Sequence, residues 1–220
     1  MIIQQVIQVD LVLIMPTDLN LFNLTFEQIR LIIIIYTSAI IPLVIFFYSY
    51  YKQNTLSWIF SVYLLLFLVC ALGWELWFTY GWVGGEDVNL RRDPLLSFMI
   101  PIHINWILNS LADAGTICLG GSFIGWILMK KNSKVFNSWD WRFFFLLLSI
   151  FLFQNVFVEM FLYHDQLSIG KTLSWAPLSP LGPWFNPIIF TFNERSISLQ
   201  SQIPWIIMTP IFYKLLIYYY

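Results

Sequence analysis

The sequence predicts an all-α protein, a polytopic membrane bundle of about five transmembrane helices with the N-terminus outside and the C-terminus in the cytoplasm. Three observations support this prediction. Of the 220 residues, 59% are hydrophobic and 20% are aromatic while only 10% are charged, which is too little polar surface for an ordinary water-soluble domain. Several stretches are long and apolar enough to cross a bilayer. Lysines and arginines concentrate in the short loops on one side.

The spans are predicted from the length of the apolar runs. A helix needs roughly 20 apolar residues to cross a hydrocarbon core ~30 Å thick. Four runs satisfy this length, while a fifth is shorter and contains Pro204, Pro210 and Lys214. We count the fifth as a span, because membrane helices tolerate proline and a lysine near a helix end can reach the interface. The predicted spans are 31–50, 56–80, 104–129, 143–163 and 203–220.

The segments outside the spans are assigned by composition. Residues 1–30 are predicted to form an N-terminal interfacial segment, since the apolar start has neither a basic region nor a cleavage site of a signal peptide. Residues 94–103, with a proline near each end, should form a bent lead into the third span. Residues 31–220 form a single transmembrane bundle. Its loop at 164–202 is rich in proline and tryptophan, and we expect this loop to fold onto the membrane surface as a lid.

The charges predict the orientation and the class of partner. Lys52 follows the first span, and four basic residues at 130–142 separate the third and fourth spans, so these loops should be cytoplasmic. The expected location is an integral membrane one, in the endoplasmic reticulum of a eukaryote or the inner or plasma membrane of a bacterium. A net charge of −1 without a basic block excludes nucleic acid. The expected partner is a membrane lipid or hydrophobic small molecule, and a homo-oligomer or a membrane partner stays open.

Three carboxyl groups fall inside the predicted spans: Glu75, Asp113 and Glu159. A charge at the bilayer centre costs roughly 3 kcal/mol or more, so we take each of the three as a candidate catalytic residue. In the predicted orientation all three lie in the outer half of the membrane at a similar depth. For Glu75 and Asp113 a functional role is favoured, because an amide would suffice for bonding two helices. Glu159 lies nearer to the interface, where a structural role fits equally well.

Polar amides accompany the acids at helical spacing. Asn105, Asn109 and Asp113 are successive i to i+4 neighbours, and Asn155 precedes Glu159 by the same interval. Such stripes should face the bundle interior or a wet cavity, although the asparagines can also serve only to join helices. The candidate ligand-binding residues are the polar and aromatic side chains closest to the acids: Trp74, Trp77, Phe78, His103, Asn105, Trp106, Asn109 and Asn155.

The inventory of side chains excludes several membrane chemistries. Two histidines are too few for the ligand sets of membrane di-iron oxygenases or for a bis-histidine haem, so we expect no metal. There is no glycine-rich phosphate loop with its lysine, and Lys214 lies too near the end of its span for a retinal Schiff base. We therefore expect no cofactor. Cys70 and Cys118 lie in apolar runs and should pack as small hydrophobic residues.

The reactive groups that these exclusions leave are carboxyl groups close to aromatic rings. A carboxyl that tryptophan and phenylalanine shield from water can keep its proton and act as a general acid. Aromatic faces stabilise a developing carbocation. The sequence thus predicts an intramembrane acidic and aromatic cavity that binds a sterol- or terpenoid-like ligand, with an isomerase or cyclase reaction by alkene protonation as one outcome. The alternatives are a proton-coupled membrane carrier and a structural or assembly subunit of a membrane complex.

Short motifs in residues 56–220 resemble those of the emopamil-binding proteins, the sterol isomerases of the EXPERA-domain family that also includes the sigma-2 receptor. Glu75, Trp77 and Phe78 look like the family's Glu-x-Trp-Phe motif. The third span is similar to a family pattern of acid, threonine, cysteine, leucine, glycine and tryptophan, and the matching residues are Asp113, Thr116, Cys118, Leu119, Gly121 and Trp126.

The resemblance extends to the last span and implies further site residues. Gln202, Trp205 and Pro210 are similar to an asparagine, a tryptophan and a proline of the family, which implies that Gln202 and Trp205 line the ligand pocket. The family's isomerases carry a histidine one turn before the glutamate of the second span, and here that residue is Ala71. Binding of a lipid or sterol is compatible with this loss, whereas sterol isomerisation would have to proceed without the histidine.

Overall fold

The structure is a computed structural model that describes residues 24–52, 57–81, 85–173 and 184–220. The prediction of an N-terminal interfacial segment falls largely on residues 1–23, and that of a lid partly on residues 174–183 with Trp175 and three of the prolines. Both lie outside the described residues. In the described part the chain is mostly helical, and its helices are α1 (Phe26–Tyr51), α2 (Ser57–Leu72), α3 (Trp74–Tyr80), α4 (Val88–Arg91), α5 (Pro94–Met99), α6 (Ile102–Ala112), α7 (Gly120–Leu128), α8 (Lys134–Asn137), α9 (Trp141–Val158) and α10 (Leu199–Tyr219).

Several helices begin where the sequence places a capping side chain. Thr25 accepts from the backbone of Gln28 at the start of α1, and the Gln28 side chain accepts in return from the backbone of Thr25. Asp93 caps α5, which opens with Pro94, and α6 then starts after Pro101. The stretch predicted as a bent lead into the third span thus contains one short helix, a break at residues 100–101 and the first residues of α6.

Two stretches wind as π-helix inside otherwise α-helical spans. The first π segment, Asp113–Leu119, joins α6 to α7, and the second π segment, Glu159–Tyr163, continues α9. The first of them lies tightly against α1, because a Cβ atom added to Gly115 would come within 2.6 Å of the Pro42 side chain. Single π turns are rare and recur at functional sites.

The second predicted span is bent rather than straight. Helices α2 and α3 meet at Gly73 with an angle of 47° between them. A Cβ atom at this position would lie 2.5 Å from the carbonyl oxygen of Val69, so the break depends on a residue without a side chain. The apolar run from 56 to 80 gives no indication of the bend other than this glycine.

By length and composition, three helices in the described residues qualify as membrane spans: Phe26–Tyr51, Ile102–Leu128 and Trp141–Tyr163. The bent pair α2 and α3 makes a fourth if it counts as one span. Helix α10 does not meet the same criterion. It nevertheless lies along α9, since Asn155 near the end of α9 donates to the Ser201 carbonyl, and the ring of Tyr213 lies 5.2 Å from that of Phe143 near the start of α9.

The two ends of the bundle differ in composition. We call the end with Lys52 and residues 130–142 the basic end, and the end with residues 85–101, 164–173 and 184–198 the loop end. At the loop end the buried carboxylate of Asp165 binds both Arg30 of α1 and Arg195. The two guanidinium groups also donate to carbonyls of the second π segment, which fastens α1 to this end of the fourth span.

An antiparallel hairpin of β1 (Ile188–Phe192) and β2 (Arg195–Ser198) precedes α10. The turn residues Asn193 and Glu194 both have positive φ, the backbone conformation that tight hairpin turns require. The all-α prediction omitted this hairpin and is wrong for these residues. The alternation of Ile197 with polar neighbours is a strand signal, but it is too short to outweigh the surrounding loop composition.

Candidate functional site

A cavity of about 260 Å³ opens between α1, α3, the third span and α9, near the loop end. One wall is polar and carries Glu75, Asn105, Asn109 and Asp113. The structure thus brings together two of the three predicted acids and the two asparagines of the predicted stripe. Val88, Arg91 and Gln166 line the part of the cavity nearest the loop end.

The two carboxyl groups of the cavity have different hydrogen-bond partners. The indole Nε1 of Trp74 donates to Oδ2 of Asp113 at 2.8 Å. Glu75 is fully buried and accepts from the Thr79 hydroxyl at 3.4 Å, and it also interacts with the amide of Asn109. Asp113 therefore has one short donor contact from an aromatic ring, while the contacts of Glu75 are longer and come from neutral polar side chains.

Arg91 and Arg92 are both buried near the loop end of the cavity, with exposed fractions of 2% and 1%. Burial lowers the pKa of Arg91 and of Arg92 to about 10, so both remain protonated at neutral pH. Arg91 donates to the carbonyl of Phe78, and Arg92 donates to the Asn105 amide oxygen at 3.1 Å. Among the described residues neither forms an ion pair within 4.0 Å. Their guanidinium groups donate hydrogen bonds to neutral carbonyl and amide oxygens instead.

The Arg92 contact starts a directed chain of hydrogen bonds that ends at Glu75. Asn105 accepts from Arg92 and donates through Nδ2 to the Thr79 hydroxyl, which in turn donates to Glu75. Because each donor points toward the carboxyl, the chain orients partial positive charge at Glu75. It also positions the predicted stripe residue Asn105 by two side-chain contacts.

The opposite wall of the cavity is mostly apolar and is built by α1 and α9. Its apolar side chains are Leu31, Ile34, Ile35, Phe157, Val158 and Leu162. The Nε2 atom of Gln154 lies buried at this wall without a hydrogen-bond partner in the described part of the chain. Phe157 and Thr116 line the cavity and also have exposed surface. The cavity therefore faces the side of the bundle as well as the loop end.

Glu159, the third predicted acid, does not line this cavity. Its carboxylate is buried and accepts from the backbone and the hydroxyl of Ser198, from the hydroxyl of Ser201 and from the Gln202 amide at 3.0 Å. Asn155, one turn earlier, donates to the Ser201 carbonyl. Together these contacts hold the start of α10 against the fourth span. The structure gives Glu159, Asn155 and Gln202 hydrogen bonds that join two helices.

The remaining candidate residues surround the cavity at different distances. Phe78 lines it, while Trp205 is buried behind Trp74 with the ring centroids 5.5 Å apart. The Trp106 indole donates to the Ala71 carbonyl at 2.8 Å, so Ala71 lies beside a tryptophan. His103 is exposed and contacts the Tyr80 hydroxyl. Trp77 faces a separate groove described below.

Several lining residues were not among the predicted ones. Gln154 is adjacent to the predicted Asn155, but the i to i+4 argument selected the residue that faces α10 instead. Arg91 ends the short helix α4 and Gln166 follows the second π segment, and the sequence predicts both stretches as loops, for which it gives no direction of a side chain. Tyr163 closes the second π segment, and its orientation depends on a helical turn that the sequence does not indicate.

All three intramembrane acids lie at irregularities of their helices. Glu75 follows the break at Gly73 by two residues, and Asp113 and Glu159 are the first residues of the two π segments. A break or a wide turn frees backbone groups and redirects side chains, and such features recur at functional sites. Each of the three acids therefore lies where the backbone departs from a regular α-helix.

On the basic side of Asp113 the bundle is filled by packed apolar side chains. Tyr63 and Leu66 of α2, Phe143 and Leu147 of α9, and Phe212 of α10 belong to one buried cluster. The cavity is thus closed toward the basic end. Among the described residues no group of three or more histidine, cysteine and acidic side chains is arranged to hold a metal ion. No family model, curated protein or solved structure matches the chain.

Proposed function

We propose that this membrane protein binds a hydrophobic sterol- or terpenoid-like ligand in the carboxyl cavity and isomerises it by protonating an alkene. The observation that carries the proposal is the meeting of Glu75 and Asp113 in one mostly apolar cavity beside Trp74 and Phe78. Two acids in one cavity supply both a proton donor and a proton acceptor. Nearby rings supply faces that stabilise a cation.

The two acids have different hydrogen-bond partners, and we assign them different roles in proton transfer. We assign Asp113, whose Oδ2 atom is held by the indole N–H of Trp74, as the proton acceptor, and Glu75, which lines the cavity beside Phe78, as the proton donor. Glu75 then gives its proton to one carbon of the double bond, and the π electrons form the new C–H bond and leave a cation on the other carbon. Asp113 removes a proton from a neighbouring carbon, whose C–H electrons form the new double bond. Before the next turnover Asp113 releases its proton to water and Glu75 takes one up from water, so each product carries one solvent hydrogen and no oxidant or reductant is required.

The size of the cavity restricts how the ligand is bound. At about 260 Å³ it lies just below the ~300 to 1,000 Å³ that drug-sized ligands occupy. A sterol would therefore place only its reacting end beside the acids, with the rest of the molecule leaving between α1 and α9 past Phe157. The buried Gln154 amide offers a donor for an oxygen of the ligand, such as a hydroxyl.

The proposal includes the five-span topology with the N-terminus outside and the resemblance to the emopamil-binding proteins. The contacts of α10 with both ends of α9 support its placement as the fifth span. The basic residues of the connection at 130–142 support a cytoplasmic basic end. With Ala71 in place of the family's histidine, the reaction would depend on Glu75 and Asp113 alone.

Solvent deuterium provides a direct test of the reaction. The purified protein in lipid vesicles is incubated in D₂O with lanosterol or farnesol as unsaturated probes, and the recovered lipid is analysed by mass spectrometry. Each turnover should place one deuterium on carbon. Glu75→Gln and Asp113→Asn should each reduce this incorporation by at least about 100-fold, the usual contribution of a general acid or base.

Glu86→Gln is the matched control, because Glu86 is a partly exposed acid at the loop end that pairs with Lys171 outside the cavity. It should incorporate deuterium at the rate of the unmodified protein. Full incorporation by both cavity variants would refute the catalytic proposal. If the protein retained a photoreactive sterol but incorporated no deuterium, it would be a lipid-binding protein and not an isomerase.

A proton-coupled carrier would use the same acids but needs a polar path across the bilayer. The buried apolar cluster between Asp113 and the basic end supports the closed cavity of a binding protein or an enzyme instead. A structural subunit is the remaining alternative. A structural subunit would incorporate no deuterium, and replacing the cavity acids would change its assembly with a partner.

A further inference from the structure

A second hollow lies behind Trp74 and Phe78, on the side away from the carboxyl cavity. It is a surface groove of about 330 Å³ between the α2–α3 bend and the first half of α10. Trp77 and Gly73 belong to one wall, and Ile203, Ile207 and Met208 belong to the other. Gln200 lies in its lining, and the side-chain amide of Gln200 donates to the Phe185 carbonyl at 2.8 Å.

The break at Gly73 contributes to the shape of this groove. It turns α3 away from the axis of α2 by 47°, and the glycine itself adds no side chain to the floor. Pro204 of α10 lies opposite. The groove therefore results from backbone features of both helices, and the described residues that line it include no acid.

The groove continues the surface that faces lipid. Leu72 beside it is 66% exposed, and Ile207 on its far wall is 56% exposed. With apolar walls on both sides there is little to hold water in place, because a bound water needs two to four polar partners. In a bilayer the apolar, flexible molecule available at this depth is the hydrocarbon chain of a lipid.

We propose that this groove is a binding site for one acyl chain of a membrane phospholipid, separate from the carboxyl cavity. It rests on α10 lying in the bilayer beside α9 but not on any reaction in the cavity. Binding of this chain packs the outer face of the Trp74 ring, whose N–H holds Asp113 on the other side.

Photolabelling tests the site in the intact protein. The full chain is reconstituted in phosphatidylcholine vesicles that contain a phosphatidylcholine with a diazirine on its acyl chain, irradiated and mapped by peptide mass spectrometry. Adducts should be about tenfold denser at the groove than at Phe153 and Phe145, which face lipid on α9 with exposed fractions of 76% and 57%. That ratio corresponds to ~1.4 kcal/mol of preference.

Two neighbouring isoleucines of α10 provide a matched pair of variants. Ile207→Trp should fill the groove and reduce its labelling about tenfold, back to the level at Phe153. Ile206→Trp changes an exposed residue that is outside the groove lining, and it should leave the labelling unchanged. Ile203→Trp fills the groove from a different position and serves as a second variant if Ile207→Trp does not fold.

The proposal is overturned if the groove of the unmodified protein is labelled no more than Phe153. That result would assign the space to ordinary annular lipid or to another part of the chain, such as residues 1–23. Equal labelling of Ile207→Trp and Ile206→Trp would overturn it as well. Neither outcome bears on deuterium incorporation, so a failure here is distinguishable from a failure of the proposed isomerase.

Discussion

Asp113 and Glu159 have the same sequence setting, four residues after an asparagine and at the start of a π segment, but their carboxyl groups have different surroundings. Glu159 accepts hydrogen bonds from Ser198, Ser201 and Gln202. Asp113 has one indole donor and a cavity beside it. A carboxylate with several donors is a stable link between helices, whereas one with a free face is available for chemistry.

Glu75 also lies beside the cavity, so replacing it by glutamine should affect the stability differently from the same replacement at Glu159. Glu159→Gln replaces an acceptor of several donors by an amide and should lower the free energy of unfolding by about 1–3 kcal/mol. Glu75→Gln removes one of two neighbouring acids from a cavity and should leave the stability unchanged or raise it, as often found for active-site residues. Thermal unfolding in detergent micelles measures both. A loss of stability with Glu75→Gln as large as with Glu159→Gln would assign a structural role to Glu75.

The acids could be located from sequence, but their roles could not. The rarity of carboxyls in apolar runs identified Glu75, Asp113 and Glu159, and the i to i+4 spacing identified Asn105 and Asn109 as members of one wall. Spacing reports which residues share a helix face but not which helix lies opposite. The partners of Glu159 come from residues 198–202, at the far end of a loop whose path no local pattern encodes.

At the level of elements, close packing of the third span depends on glycines with distinct roles. Gly115 contacts Pro42 of α1 and Tyr63 of α2, whereas a Cβ atom at Gly120 would meet only a carbonyl oxygen at the ordinary distance of 3.7 Å. Gly121 lies against Phe151 of α9. Small residues of this kind allow membrane helices to approach closely.

Alanine substitutions should separate these roles. Gly115→Ala forces α1 or α2 away from the first π segment and should destabilise the protein by about 1–3 kcal/mol, the usual cost of overpacking. Gly120→Ala has space for the methyl group and should be neutral or slightly stabilising, because alanine favours a helix over glycine by ~1 kcal/mol. Thermal unfolding of the two variants side by side measures the difference. Equal stabilities would show that α1 adjusts freely against this segment.

The positions of the elements followed from sequence more closely than their internal geometry. Apolar run lengths place the helices within a few residues of their observed bounds, because the hydrophobic requirement acts on whole segments. The bend at Gly73 was not predicted, because one glycine in an apolar run is not enough to indicate a break. The two π segments were not predicted, because the length of an apolar run does not distinguish π turns from α turns. The hairpin at 188–198 was missed because short strands in a loop have no periodicity long enough to recognise.

At the scale of the whole molecule, the basic residues predict which face of the bundle lies in the cytoplasm. Cysteines introduced into a variant without Cys70 and Cys118 test this. Ile169→Cys at the loop end should react with a membrane-impermeant maleimide in intact cells or sealed right-side-out vesicles. Ser138→Cys and Tyr220→Cys at the basic end should react only after permeabilisation. The side chains at 138, 169 and 220 are exposed, so access depends on the membrane alone.

Reaction of Tyr220→Cys from outside, with Ser138→Cys protected, would show that α10 does not cross the bilayer. The aromatic contacts of Tyr220 with Trp58 and Phe136 argue for the crossing, because both partners lie at the basic end. Labelling of Ser138→Cys from outside would instead reverse the whole orientation.

The first π segment also affects how the third span responds to a change in chain length. A π turn contains more residues than an α turn, so the stretch at 113–119 is equivalent to an inserted residue in a regular helix. Deleting one residue there would remove the extra residue and let the helix continue as α, with Gly121 and Gly125 still facing the α9 rings. Deleting one residue in the α-helical stretch between Gly121 and Gly125 would instead rotate the residues after it by about 100° and turn Gly125 away from Phe143. The π segment therefore absorbs a change of one residue in chain length that the α-helical part of the span does not.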